Sequence, residues 1–181
     1  KDQKFYGRII EKFGDFYDDN ALTKYLIKSF NLPTEFSKKV LMKADKTVNR
    51  YHNDYNMEIE NRNDLRSFTT FTIDPNGARD LDDAISIFRN ENGYKVHIHI
   101  ADVSHFFNVR TKINREAEKR ATSVYLVDRT IPMLPEKLSN NLCSLKPNVD
   151  RLTYSVIIKF DSKLSIIDYW IGRTVIHSKK R

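Results

Sequence analysis

Within the stretch FTTFTIDPNGARDLDDAISIF, residues 68 to 88, four carboxylates fall inside ten positions: Asp74, Asp80, Asp82 and Asp83. No other part of the chain gathers so much like charge in so little sequence. Carboxylates this close raise one another's pKa unless a cation neutralises them. Hard divalent ions that prefer oxygen ligands, Mg²⁺ or Mn²⁺, suit such a set, and sites of this kind commonly serve phosphoryl chemistry. On extended backbone Asp80 and Asp82 share one face and Asp83 takes the other, so all four converge only if the loop curls back toward Asp74.

The elements that must position them are two strands. Thr70 to Ile73 reads as a β-strand that delivers Asp74 at its end, and Pro75-Asn76-Gly77 is turn chemistry that halts the ladder. Ala84 to Phe88 forms a second β-rich run, which places the acidic residues on the loop between the strands. The competing reading is a solvated acidic turn with Asp caps; the apolar flanks weigh against it, because they anchor the loop in a core. Neighbouring metal motifs fail on spacing. An EF-hand loop opening at Asp74 needs Asp or Asn where Ala78 stands and Glu where Ile85 stands. A haloacid-dehalogenase-type site needs Asp at Asn76, and a DDxxD diphosphate site needs Asp at Ser86.

A chain of 181 residues with 40% hydrophobic and 12% aromatic content supports one sizeable core and is no disordered tail. No run approaches the roughly 18 apolar residues of a membrane span, and the charged N-terminal stretch lacks the apolar segment of a signal peptide. Cys143 is the single cysteine, which excludes an internal disulfide and a multi-thiolate zinc site and fits a reducing, cytoplasmic setting. Thirty-one Lys and Arg against 24 Asp and Glu give a net charge of +7. A basic body around a local acidic cluster suits a polyanion held by the body and cut at a metal in the cluster.

The remaining segments read as an α+β chain: helices first, then a mostly antiparallel or mixed sheet with short helices. Phe5 to Phe13 alternates as a strand, and Ala21 to Phe30 has helical periodicity with Asn20 as N-cap. Thr34 caps a longer helix with Phe36, Val40, Leu41, Ala44 and Val48 on one face. Residues 49 to 66 are polar and carry Arg62 and Arg66, which either touch phosphate or salt-bridge the surface. Asn90 to Gly93 turns into a strand whose Tyr94, Val96, Ile98 and Ile100 form one face, leaving His97 and His99 on the other. Those histidines either bind a metal or line a hydrated or hydrogen-bonded sheet face. Asp102, near His105, is expected to reach the cleft of the acidic loop. Lys112 to Thr122 reads as a charged helix, Tyr125 as core filling or a base-stacking platform, and Glu136 to Asn141 as a brief helix. Thr153 to Phe160 and Leu164 to Ile176 alternate as strands, and the halt soon after the second reads as a cut within a longer protein.

With these residues in view the chain resembles the catalytic RNB domain of the ribonuclease II and ribonuclease R family, on the ribonuclease R side of it. The resemblance rests on RNDLRSFTTFTIDPNGARDLDDAISI, VHIHIADVSHFF and TSVYLVDRTIPMLPEKLSNNLCSLKPNVDRLTYSVIIKFD, in that order and covering most of residues 62 to 161. It implies processive 3′-to-5′ hydrolysis of single-stranded RNA to nucleoside 5′-monophosphates with Mg²⁺ at the site. By analogy Asp74 and Asp83 ligate metal directly, Asp80 and Asp82 complete the site and help position a second ion and the attacking water, and Tyr125 stacks on a base near the RNA 3′ end. Residues 1–14 resemble the end of a preceding cold-shock barrel and residues 15–181 the N-terminal part of the RNB domain. The family's catalytic arginine lies in the second half of that domain, which this chain lacks together with complete cold-shock barrels and the S1 domain. The isolated piece is therefore expected to be inactive. The rival, from another class, is a non-catalytic RNA-binding or structural module with a solvated acidic loop.

Overall fold

A computed structural model of the chain describes residues 6–15 and 17–181. Residues 6–15 form no regular element, in contrast to the strand expected over Phe5 to Phe13, whose first residue lies outside the described part. Alternation yields a strand only where a neighbour completes its ladder, and among the described residues no strand pairs with this segment. The first helix, α1 (Asp19–Ser29), is capped by Asp18, whose side chain accepts from the Asn20 N–H, so the cap falls two residues before the expected one.

Helix α2 (Lys38–Glu60) opens at Ser37 rather than Thr34 and runs 23 residues, through most of the segment read only as polar. The extension follows from Tyr51, Tyr55 and Ile59, which continue the face of Val40, Ala44 and Val48 at helical spacing. That face packs with Phe106 of α3 (Val103–Phe106), Ile113 and Ala117 of α4 (Lys112–Arg120), and Leu138 and Leu142 of the brief helix expected over 136–141, which takes π geometry over Leu138–Leu142.

The strands are β1 (Asn63–Asp64), β2 (Thr70–Phe71), β3 (Asp83–Asn90), β4 (Gly93–Ala101), a two-stranded ribbon of β5 (Val124–Tyr125) and β6 (Thr130–Ile131), β7 (Asp150–Asp161) and β8 (Ile166–Lys180). The main sheet is mixed, as expected: β1 and β2 run parallel to β8, and the other pairs are antiparallel. Its order is β8-β2-β3-β4-β7, and β7 pairs back with β8, so the sheet closes into a small barrel with β1 added along β8. Closure removes the open edges that five separate strands would present. Gly93 allows the tight β3–β4 turn, since its φ is +147° and a Cβ there would collide with the Phe160 carbonyl.

The alternation along β4 is as expected, but the histidines take the inside. His97 and His99 are fully buried, whereas Ile100 on the opposite face is 48% exposed. A chain of hydroxyls and one imidazole runs through the barrel: Thr70 to Ser86 at 2.8 Å, Ser86 to His99 Nε2 at 3.2 Å, His99 Nδ1 to Ser155 at 2.7 Å, and on to Thr174 and Thr153. Small hydroxyl residues on the neighbouring strands leave room for the rings and satisfy His99, which is why the polar face turns inward. His97 has no hydrogen-bond partner and packs edge-on against Phe68, 5.1 Å away, and tilted against Phe88, 5.0 Å away. Burial pushes both imidazoles down to about 4. No helix among the described residues is long and apolar enough to cross a membrane.

A candidate aspartate-lined active site

The acidic loop, residues 72–82, leaves β2 and enters β3 with no regular structure of its own, so its shape depends on what pins it. Leu81 is the pin. It is 3% exposed and packs with Leu65, Ala84, Ala101, Leu145 and Ile176 at one end of the barrel. Its carbonyl accepts from the Leu145 N–H at 2.8 Å, and its N–H donates to Ser144 Oγ at 3.1 Å. The same Ser144 hydroxyl donates to the Arg79 carbonyl at 2.7 Å, and the Asp82 carbonyl accepts from the Ala101 N–H at 2.9 Å. With Leu81 buried, Asp80 and Asp82 on either side of it project away from the core. Ser144, fully buried, escaped the sequence reading because an isolated serine in a loop carries no spacing signal.

At the end of the loop Asp82 feels the other three carboxylates. The Asp82 carboxyl is raised above its ordinary value, first by desolvation and then by repulsion from Asp80, Asp83 and Asp74. Asp74 keeps one buried oxygen, Oδ2, without a hydrogen-bond partner. Asp80 Oδ2 accepts from the Tyr125 hydroxyl at 2.5 Å, and this contact, with burial, pushes the phenol up to about 12. Asp83 opens β3 opposite Ile100. A cleft of about 950 Å³ is lined by Asp74, Asp80, Tyr125, Arg79 and Arg129; Asp82 and Asp83 stand outside its lining. Tyr125 is 65% exposed, which sets aside the core-filling alternative.

Among the described residues no three His, Cys, Asp or Glu side chains are drawn together tightly enough to cage an ion. The donor set nevertheless fits a hard cation, since it is all carboxylate oxygen, mutually repelling, with one buried oxygen of Asp74 left without a donor.

Several expected participants lie elsewhere. Arg62 is buried, its side chain 2% exposed, and pairs with Asp102 at 2.8 Å while donating to the Thr153 and Thr174 carbonyls. It is thus a structural ion pair rather than a phosphate contact, and the partner it holds, Asp102, is turned into the protein rather than into the acidic cleft. Arg66 pairs with Asp64, at 2.9 and 2.6 Å, and with Asp150 at 2.9 Å, the salt-bridging alternative of the two expected. His105 pairs with Glu58 at 2.6 Å, and Cys143 is buried with its thiol pushed up to about 12.

These features meet a family. The RNB domain matches residues 62–181, and the chain belongs to that family. Among its relatives, ribonuclease R 1 of Lactococcus lactis is 39% identical over 180 residues, covering 99% of this chain and 22% of the relative. RNase R of Mycoplasma genitalium in complex with ribose-methylated single-stranded RNA superposes with a TM-score of 0.82 at 31% identity, over 93% of this chain and 26% of that one. Yeast Ssd1, a pseudonuclease, superposes at 0.63 with 25% identity over 69% of this chain and 16% of its own. The chain thus spans about a quarter of the length of its ribonuclease R relatives.

Proposed function

We propose that this chain is the aspartate-bearing part of a processive 3′-to-5′ exoribonuclease that hydrolyses single-stranded RNA to nucleoside 5′-monophosphates. Residues 15–181 are the N-terminal part of its RNB domain, residues 1–14 the end of a preceding cold-shock barrel, and the catalytic arginine, the RNA-funnelling barrels and an S1 domain belong to the rest of the parent protein. The observation that carries the reading is the aspartate-bearing loop pinned at the barrel end by Leu81 and Ser144, with Asp74 and Asp80 lining a cleft beside Tyr125 and a buried Asp74 oxygen left without a donor.

Asp74, Asp80, Asp82 and Asp83 would hold Mg²⁺, or Mn²⁺ in its place. When bound, the metal supplies charge neutralisation at the phosphate and activation of water. The chain's own contribution is positional. Leu81 and Ser144 fix the loop so that the carboxylates face outward from the barrel end. Tyr125, at the cleft mouth, offers its ring to a terminal base while its hydroxyl orients Asp80. A reducing cytoplasm suits the single buried thiol.

A pseudonuclease with the same fold keeps a second reading in play: a non-catalytic RNA-binding module. Asp82→Asn in the full-length parent separates them. The nuclease reading expects hydrolysis to be abolished and RNA affinity to stay within about threefold, since one carboxylate removed from a basic protein does not weaken phosphate binding. Unchanged hydrolysis overturns it. In the 181-residue chain, Mg²⁺ or Mn²⁺ should bind saturably, and Asp74→Asn and Asp83→Asn should remove that binding without loss of fold; the chain by itself should show no processive degradation.

A further inference from the structure

Because the barrel is polar inside, its apolar side is the outer one. On β3, β4, β7 and β8 the residues that alternate with Ser86, His97, His99 and Ser155 form two cross-strand rows, Ile85-Ile98-Val156-Ile171 and Ile87-Val96-Ile158-Tyr169. The helical layer covers this face at one end only, where Leu152 and Val175 join the cluster built around α2. Beyond them the same strands continue bare. Ile87 is 54%, Ile171 50% and Tyr169 67% exposed, and among the described residues no member of either row belongs to a packed core cluster. Every residue in the two rows is apolar, and charge begins at their rim, with Asp83 at the start of β3, Arg89 near its end and Arg173 beyond Ile171. Lys159 and Asp168 lie on the other face and neutralise each other at 2.7 Å. An apolar centre inside a charged rim is the anatomy of an interface rather than of a solvated sheet.

We propose that this face joins two copies of the chain, sheet against sheet across a two-fold axis. A sheet with one apolar face is stable when that face is buried under a second layer, and the helical cluster stops at Leu152 and Val175. A second copy supplies an identical face of branched and aromatic side chains, packed at the roughly 10 Å separation of stacked sheets. The two-fold sets apolar rows against apolar rows, so the surface is its own complement. Ile87, Ile100, Tyr154, Tyr169 and Ile171, with the partly covered residues between them, offer on the order of 800 Å² per copy, the size of a stable interface. Two bodies that each carry +7 repel, and this contact falls where the surface is uncharged. The proposal rests on the outer face alone and stands whether or not the aspartates serve a nuclease.

The test is sedimentation equilibrium of the 181-residue chain over a dilution series. The mass should rise with concentration from that of one chain to that of two, with the midpoint at about 1–100 μM. Raising salt from about 0.05 to 0.5 M should tighten the dimer, because screening relieves the repulsion between two cationic copies. Ile87→Lys and Ile171→Lys each place a pair of like charges in the covered centre and should raise the midpoint at least roughly tenfold at unchanged circular dichroism. Met57→Lys adds the same charge on the exposed side of α2 and should leave the midpoint within about twofold. A single-chain mass throughout, masses that grow beyond two chains, a dimer that weakens with salt, or one that both lysine variants leave intact overturns the proposal. If those variants fail to fold, the dilution and salt series on the unaltered chain decide. A chain that stays single while an apolar dye binds it, with Ile87→Lys and Ile171→Lys removing the dye, gives the face to another occupant, such as the remainder of the parent, and equally overturns the dimer.

Discussion

Replacing Arg62 with alanine should unfold the protein more readily without touching its contact with RNA. The Arg62–Asp102 pair is 2.8 Å long with side chains only 2% and 3% exposed, and Arg62 also reaches two strand carbonyls, Thr153 at 3.2 Å and Thr174 at 3.4 Å. It therefore joins the segment after α2 to β7, β8 and the turn that follows β4. Removing the cation leaves Asp102 buried with a hydroxyl contact from Ser104 at 3.3 Å and with Arg173 at 3.8 Å. Breaking one side of a buried pair costs roughly 3–5 kcal/mol; Arg173 lies near enough to recover a fraction, so about 3 kcal/mol is expected, a large part of the stability of an ordinary domain. Urea denaturation followed by circular dichroism should show the midpoint falling at unchanged slope. Asp102→Asn should cost a similar amount, and the double variant should cost clearly less than the two singles summed. A shift below about 1 kcal/mol together with a weaker grip on RNA would refute the argument, because it would return Arg62 to the surface role its sequence position suggests.

Three further outcomes are expected. The buried, neutral His97 and His99 have imidazoles held at about 4 against 6.5 when exposed, so the unfolded chain binds more protons between those values; stability is complete above pH 6.5, falls as the pH drops toward 4, and loses roughly 3 kcal/mol per histidine. His97→Phe should flatten that profile, and a wild-type urea midpoint constant from pH 7 to about pH 4 would contradict the buried placement. Ser144→Ala strips the buried Leu81 N–H and the Arg79 carbonyl of a partner, costing about 1–3 kcal/mol, and should weaken Mg²⁺ binding measured by calorimetry; full metal affinity in the variant would show that the loop needs no such clamp. Tyr125→Phe keeps the ring and loses only the bond to Asp80, so RNA affinity should hold, while Tyr125→Ala should lose about 1–3 kcal/mol of it; equal losses would assign the effect to the hydroxyl.

The sequence by itself determined the acidic loop, the strand that follows it and the family; the strand before it stops at Phe71, short of the expected Ile73, because Thr72 to Asp74 already belong to the loop. Turn residues after a β-rich run, four aspartates in a fixed pattern and long ordered motifs are all local signals, and the RNB match over 62–181 rests on the same residues. It also determined the alternation along β4, because a strand has a period of two wherever it lies. Which side of that strand faces inward was a tertiary decision: only closure of the barrel brings Ser86, Ser155 and Thr174 into reach of His99 and so makes a polar interior satisfiable. The same holds for α2, whose second half reads only as polar until Tyr51 and Ile59 find the core, and for Arg62, whose carbonyl and carboxylate partners lie 40 to 112 residues away along the chain. The aspartates illustrate the division within one loop. Their types and order are written in the chain, but the path of the loop that carries them follows from a buried leucine between two of them and a serine 63 residues downstream that holds it. Composition selects the chemistry; long-range packing aims it.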